Sequence, residues 1–73
     1  FDGFRFDADD NLWTSCGDGV ACYATSGEQI GYIKMSERVS NVEFGGKEGS
    51  TLFITASTSL YMTALNIKGA KFK

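Results

Sequence analysis

The sequence predicts an all-β chain of short antiparallel strands, on three observations. Apolar and aromatic residues alternate with polar ones in short runs, the period of a half-buried strand. The runs are separated by clusters of Gly, Asp, Asn, Ser and Thr, and no stretch carries the apolar spacing of a helix. The runs also recur roughly every 8–12 residues, the spacing of a sandwich, a barrel or a propeller.

The elements follow in order. Phe4 and Phe6 alternate with Gly3 and Arg5, predicting a strand over 3–7 with Asp2 at its mouth, where a carboxylate can point into open space. Asp7 to Asn11 is a cluster of turn formers and is expected to be a solvated turn, with Arg5 as partner of a turn carboxylate such as Asp7. The spacing of Asp7, Asp9 and Asn11 matches the first ligand positions of an EF-hand loop. That reading fails because Leu12 stands where the loop needs glycine, Asp18 where it needs glutamate, and no helices flank it. Further strands are expected over 11–16, 20–24, 29–34, 40–44, 51–56 and 59–65, with a last one near 70–73. Turns are expected at Gly17-Asp18-Gly19, at Thr25-Ser26-Gly27-Glu28, between Gly45 and Ser50, and at Ala56-Ser57-Thr58. Lys34 to Val39 lacks a turn signal and fits a loop crossing from one sheet to the next. Trp13, Tyr23, Phe53 and Tyr61 fall inside strands and are expected to pack between sheets.

The chain also repeats itself. With Phe44 placed on Phe6, Val42 falls on Phe4, Asn41 on Gly3 and Ser40 on Asp2. A two-residue insertion in the turn then brings Leu52-Phe53 onto Leu12-Trp13, and Ser59-Leu60-Tyr61 onto Gly19-Val20-Ala21. An offset of about 40 residues holds four short strands, the period of a β-propeller blade. Residues 1–34 would form one blade and 39–73 a second, although two β-hairpins can align this well without a propeller.

Composition narrows the chemistry. Seventy-three residues make at most one small unit, with a marginal core unless it has partners. The first residue is Phe1 rather than methionine and a strand follows at once, so the chain reads as a piece of something longer or a processed product. A net charge of −2 argues against nucleic acid, which calls for a basic face. Lys68, Lys71 and Lys73 form a weakly basic, solvated tail. No apolar run approaches the length of a membrane helix, and no membrane partner is expected. With no histidine, these residues hold no Ser-His-Asp triad, no Cys-His pair and no His-ligated zinc. Ser15 and Cys16 have no base nearby to make either a nucleophile. A two-residue turn at Asp18-Gly19 would put the sulfurs of Cys16 and Cys22 on opposite faces, so two free thiols are expected, which fits a reducing, cytoplasmic compartment.

At this point three segments resemble one family in one order. Asp2-Gly3-Phe4-Arg5-Phe6-Asp7-Ala8-Asp9-Asp10-Asn11-Leu12-Trp13 is similar to the "PDG…D.DGNLW" blade of the gluconolactonase and regucalcin (senescence-marker-protein) family. Val39-Ser40-Asn41-Val42-Glu43-Phe44-Gly45-Gly46 resembles its "VSNxxFGG" segment one blade later. Leu52-Phe53-Ile54-Thr55-Ala56 followed by Ser59-Leu60-Tyr61 resembles its closing "TLYITA…SLY" strands. The likeness spans nearly the whole chain and departs at Phe1, where the family usually has proline.

The resemblance implies the C-terminal part of a six-bladed propeller, of which this chain would supply about two four-stranded antiparallel blades. It implies an enzyme that opens sugar lactones such as gluconolactone by adding water, with one divalent metal, most often calcium but also zinc or manganese, held by oxygen ligands in the central tunnel. The aspartate of "PDG" is both a metal ligand and the proposed catalytic base, and here that is Asp2. Ser40 occupies the matching strand mouth of the next blade without being a ligand in the family pattern, and Ser40 and Asn41 would lie near the tunnel mouth, close to substrate. Calcium suits such a set because it takes six to eight oxygens in irregular geometry. A neighbouring cation would also keep Asp2 ionised and able to accept a proton.

One carboxylate binds calcium poorly, so the isolated chain is expected to be inactive. Its partners would be the remaining blades of the propeller or further copies of the chain, three of which would make six blades. The competing reading is a non-catalytic propeller or small β-rich module that only binds partners.

Overall fold

The turn chemistry sets the strand pairing. In the computed structural model of the chain, which describes residues 3–46 and 48–70, two antiparallel meanders follow one another. β1 (Phe4–Phe6), β2 (Leu12–Cys16), β3 (Gly19–Tyr23) and β4 (Gln29–Lys34) form a four-stranded sheet in that order. β5 (Val39–Gly45), β6 (Thr51–Ala56) and β7 (Leu60–Ala64) form a three-stranded one. Of the strand expected near 70–73, only Ala70 lies among the described residues, and it is not in a strand.

The hairpin between β2 and β3 closes one residue earlier than expected, on Gly17-Asp18 rather than Asp18-Gly19. Cys16 faces Gly19 and Trp13 faces Cys22. Gly17 takes a φ of 60° while Asp18 does not go positive, as in a type II′ turn, which needs glycine at its first central position. The two cysteines still fall on opposite faces and both are free thiols.

The register reproduces the repeat. Phe6 faces Leu12 in the first sheet, and Phe44 faces Leu52 in the second. Ser15 faces Val20, and Thr55 faces Leu60. Phe4, Trp13 and Val20 are thus the counterparts of Val42, Phe53 and Leu60.

The sheets pack face to face. Side chains across a ladder share a face, so Arg5, Trp13 and Cys22 point one way with Ser15, Val20 and Ile33. That face meets Val42, Phe44, Leu52 and Ile54 of the second sheet. Val20, Val39, Val42, Phe44, Leu52 and Ile54 form the buried core, with Trp13, Ile33, Met35, Tyr61 and Leu65 packed around it. Each fully buried aliphatic or aromatic side chain contributes about 1.5–3 kcal/mol. The Trp13 and Phe44 rings meet edge to face, centroids 6.2 Å apart and planes at 88°. Of the four aromatics expected between sheets, Trp13 and Tyr61 join this core. Tyr23 and Phe53 are half-buried on the opposite, outward faces.

Two expectations about charges are corrected. Asp7 is buried rather than solvated, and it organises the turn after β1. Arg5 is not its partner, although alternation puts both on one face of the strand: the Asp7 oxygens are taken by Asp9, Asn11 and Trp13, and Arg5 pairs instead with Glu43 of β5 and donates to Phe4 O at 2.6 Å.

The crossing between the sheets is a loop, as expected, and a carboxylate pins it. Met35 N–H donates to Asp18 O and Val39 N–H to Gly17 O, both at 2.8 Å. Glu37 accepts hydrogen bonds from Thr58 Oγ1 and Tyr61 Oη at 2.6 Å and from Thr58 N–H at 2.9 Å. These donors, the Thr58 hydroxyl first, pull its carboxyl down to about 2. A depressed folded-state value means stability that is complete above the unfolded value near 4.5 and is lost as pH falls toward 2. The melting temperature of Glu37→Gln should therefore fall less steeply than that of the wild type between those limits. Identical slopes in a pH series of thermal melts would show that these bonds do not hold the charged form.

Candidate active site at the mouth of the first strand

Asp2, the residue expected to be ligand and base, lies outside the described residues. The peptide that follows it is described, and it is tightly held. Gly3 N–H donates to Ser15 Oγ at 3.0 Å. Gly3 O accepts from Ser15 N–H at 2.9 Å, from Thr14 Oγ1 at 3.2 Å and from Ser15 Oγ at 3.3 Å. Both Ser15 and Thr14 are buried. Ser15, which has no base to make it a nucleophile, thus has a positioning role: its hydroxyl and backbone grip both polar groups of Gly3. The signal was available in the register, since a β1–β2 pairing that sets Phe4 against Thr14 puts Gly3 opposite Ser15.

The second sheet meets the first at the same place. A Cβ on Gly3 would collide with Asn41 Oδ1 and would lie 3.1 Å from Asn41 Cα, so glycine is required for β5 to come this close. Asn41 Oδ1 accepts the Val42 N–H at 2.8 Å, which fixes the amide against Gly3. Ser40 sits in the irregularity of the β5–β6 ladder between Val39 and Asn41, exposed, its hydroxyl donating to Thr55 O at 3.0 Å. The fold thus brings together Gly3, just ahead of β1, Ser15 of β2 and Asn41 of β5, with Ser40 next along the chain.

The donors gathered here are amide, hydroxyl and carbonyl oxygens, the hard ligands that suit calcium or magnesium better than a thiophilic metal. Most are already engaged with the backbone. Among the described residues no three Asp, Glu or Cys side chains come together as a metal site. A separate hollow of about 340 Å³ lies between β1 and β5, lined by Phe4, Arg5, Phe6, Glu43, Phe44, Gly69 and Ala70. None of Gly3, Ser15, Ser40 and Asn41 lines it, so it is distinct from the mouth of β1.

The family profile described as the SMP-30/gluconolactonase/LRE-like region matches residues 1–58. The chain belongs to that family. The match begins ahead of the Asp2-Gly3 mouth and runs through the first sheet and through β5 and β6 of the second, ending in the turn before β7. A crystal structure of a protein provisionally named a gluconolactonase superimposes with a TM-score of 0.88 at 39% sequence identity. The superposition covers 92% of this chain and 23% of that one, so the chain spans less than a quarter of the length of this relative. No curated protein sequence matches the chain. With the register of the repeat, the superposition establishes the two sheets as β-propeller blades of the gluconolactonase type.

Proposed function

We propose that the chain supplies part of a divalent-metal-dependent lactone hydrolase acting on a sugar lactone such as gluconolactone, with Asp2 at the reacting centre. The observation that carries the reading is the family match through the Asp2-Gly3 mouth, whose Gly3 peptide is gripped by Ser15 and set against Asn41. A backbone clamped on the residue directly after a catalytic carboxylate is what fixed orientation demands. Asp2 would contribute one oxygen ligand and take the proton of the attacking water. Asn41 and Ser40, at the adjoining strand mouth, would border the substrate. The cation, calcium by the hard-oxygen character of the donors, would when bound polarise the lactone carbonyl. The remaining ligands would come from other blades.

The test is a graft. Residues 1–73 replace the matching segment of a lactone-hydrolysing member of the family, and lactone opening is followed by acid release at constant pH. The graft should hydrolyse lactone, lose that activity to a chelator and regain it with calcium, while the isolated chain should show none. A folded graft that binds but never hydrolyses lactone would point instead to a non-catalytic module.

A further inference from the structure

Charge is unevenly spent at the end of the molecule where the chain enters β1. Gly3 lies against Asn41 and Arg5 pairs with Glu43, so β1 and β5 run side by side in one direction. The end at which β5 begins is therefore also the end that follows Asp2. The Gly17-Asp18 turn, the 35–38 crossing and the 57–59 turn lie at this end too, by the pairing of the strands they join. Among the described residues the charged side chains here are Asp18, Lys34, Glu37 and Arg38. Lys34 is paired with Asp18, which also accepts from Tyr32 Oη. Glu37 is taken by Thr58 and Tyr61. Arg38 is exposed, and no described carboxylate pairs with it. Its backbone is nevertheless fixed: Arg38 O accepts from Ser57 N–H at 3.0 Å and from Ser57 Oγ at 3.4 Å, and the following N–H, of Val39, donates to Gly17 O at 2.8 Å. Arg38, Val39 and Ser40 run exposed, buried, exposed, so Arg38 and Ser40 stand on one side of the extended backbone, about 7 Å apart along it. The sheets on both sides of the crossing belong to the chain, so this is not the exposure of an uncovered blade face.

We propose, resting on the lactonase reading above, that Arg38 is a specificity-determining residue that binds an anionic group, a carboxylate or a phosphate, carried on the lactone outside its ring. Ser40 borders the substrate in that reading. Arg38 stands one alternation further out, where a substituent of a ring seated at Asp2 would project. A guanidinium presents N–H donors in the fork geometry of a carboxylate or a phosphate. The clamped backbone leaves only the side chain to be ordered on binding. The neighbouring acids do not cancel the charge, since Glu37 faces the Thr58 and Tyr61 hydroxyls and Asp18 faces Lys34. A single cation on the rim of a site steers and selects the substrate; it takes no part in breaking the ester bond.

The grafted propeller tests this with gluconolactone as the neutral probe, and 6-phosphogluconolactone and a glucarolactone as the charged ones. The charged lactone that Arg38 serves should have the higher kcat/KM, and its advantage should shrink as salt is raised. Arg38→Gln should cut that preference roughly tenfold, the low end of what a hydrogen bond to a charged group contributes, through KM rather than kcat. Arg38→Lys should restore part of it. A preference for only one of the two charged lactones tells phosphate from carboxylate. Calorimetric binding of 6-phosphogluconate and glucarate, each against gluconate, reads the same contact without turnover. A graft that hydrolyses nothing, yet binds a charged acid more tightly through Arg38, would sink the lactonase reading and keep the anion site. A graft that hydrolyses gluconolactone but prefers neither charged lactone overturns the proposal and leaves the lactonase reading standing. So does a preference that Arg38→Gln leaves intact, or a loss that falls equally on neutral and charged lactones. A folded graft that neither hydrolyses lactones nor discriminates among the acids overturns both.

Discussion

Asp7→Asn should bring the chain close to unfolding, although it removes only a charge. The Asp7 carboxylate is buried and fully used: Oδ1 accepts from the Asp9 and Asn11 N–H groups at 2.9 Å, and Oδ2 accepts from Asn11 Nδ2 at 3.1 Å and Trp13 Nε1 at 2.9 Å. Burial pushes its pKa up, but the bonds from Trp13, Asn11 and Asp9 outweigh burial and hold it below its ordinary value. An asparagine keeps one acceptor oxygen. Its amide nitrogen would then confront two donors, Trp13 Nε1 and Asn11 Nδ2, that can no longer be satisfied. Losing two bonds to a charged acceptor costs about 1.5–3 kcal/mol each. A chain of this length has on the order of 4–11 kcal/mol in all. The damage would also spread. Trp13 packs edge to face on Phe44, and the backbone on either side of Asp7 is tied to the segment after β7 through Ala8 N–H to Lys68 O at 2.7 Å and the Asp7–Gly69 bridge. Urea unfolding should show the midpoint of Asp7→Asn collapsing while Asp9→Asn, on the exposed side of the same turn, stays within about 0.5 kcal/mol of wild type. Equal midpoints for the two variants would remove Asp7 from the centre of the fold.

That turn shows where the sequence was legible and where it was not. Alternation and glycine spacing located every strand among the described residues, because a ladder with one buried face writes a period of two into the chain. The repeat was legible for the same reason, and Phe6–Leu12 and Phe44–Leu52 turned out to be the same rung. What alternation cannot show is which polar side chain folds inward. A cluster of four acids and amides between strands reads as solvated, and nothing local marks Asp7 as the one that reaches across to the Trp13 indole. Arg5 failed similarly, since its partner Glu43 lies 38 residues away on another sheet. The mouth of β1 was legible only through a resemblance in the residues themselves. Its glycine reads only as one more position of the strand over 3–7, whereas the structure uses it for the close approach of Asn41, a tertiary fact with no local signature.

Asp2→Asn in the grafted propeller should lower kcat by about 10²–10⁴-fold, the usual worth of a positioned general base. The choice of asparagine separates two roles that alanine would merge. An amide oxygen still donates to a hard cation, so a residue acting mainly as a ligand would lose metal affinity first, and rate would return as calcium is raised. An amide cannot accept the proton of the attacking water, so a base loses rate that no calcium concentration restores. The expected result is a modest rise in the calcium needed for half-activation and a kcat that stays low at saturation. The melting temperature of the graft, measured alongside, separates a lost base from a lost fold: an unchanged value with a low kcat assigns the loss to the chemistry. Full recovery of rate at high calcium would keep Asp2 as a ligand and place the base elsewhere. An Asp2→Asn graft with wild-type kcat and calcium dependence would remove it from the site altogether.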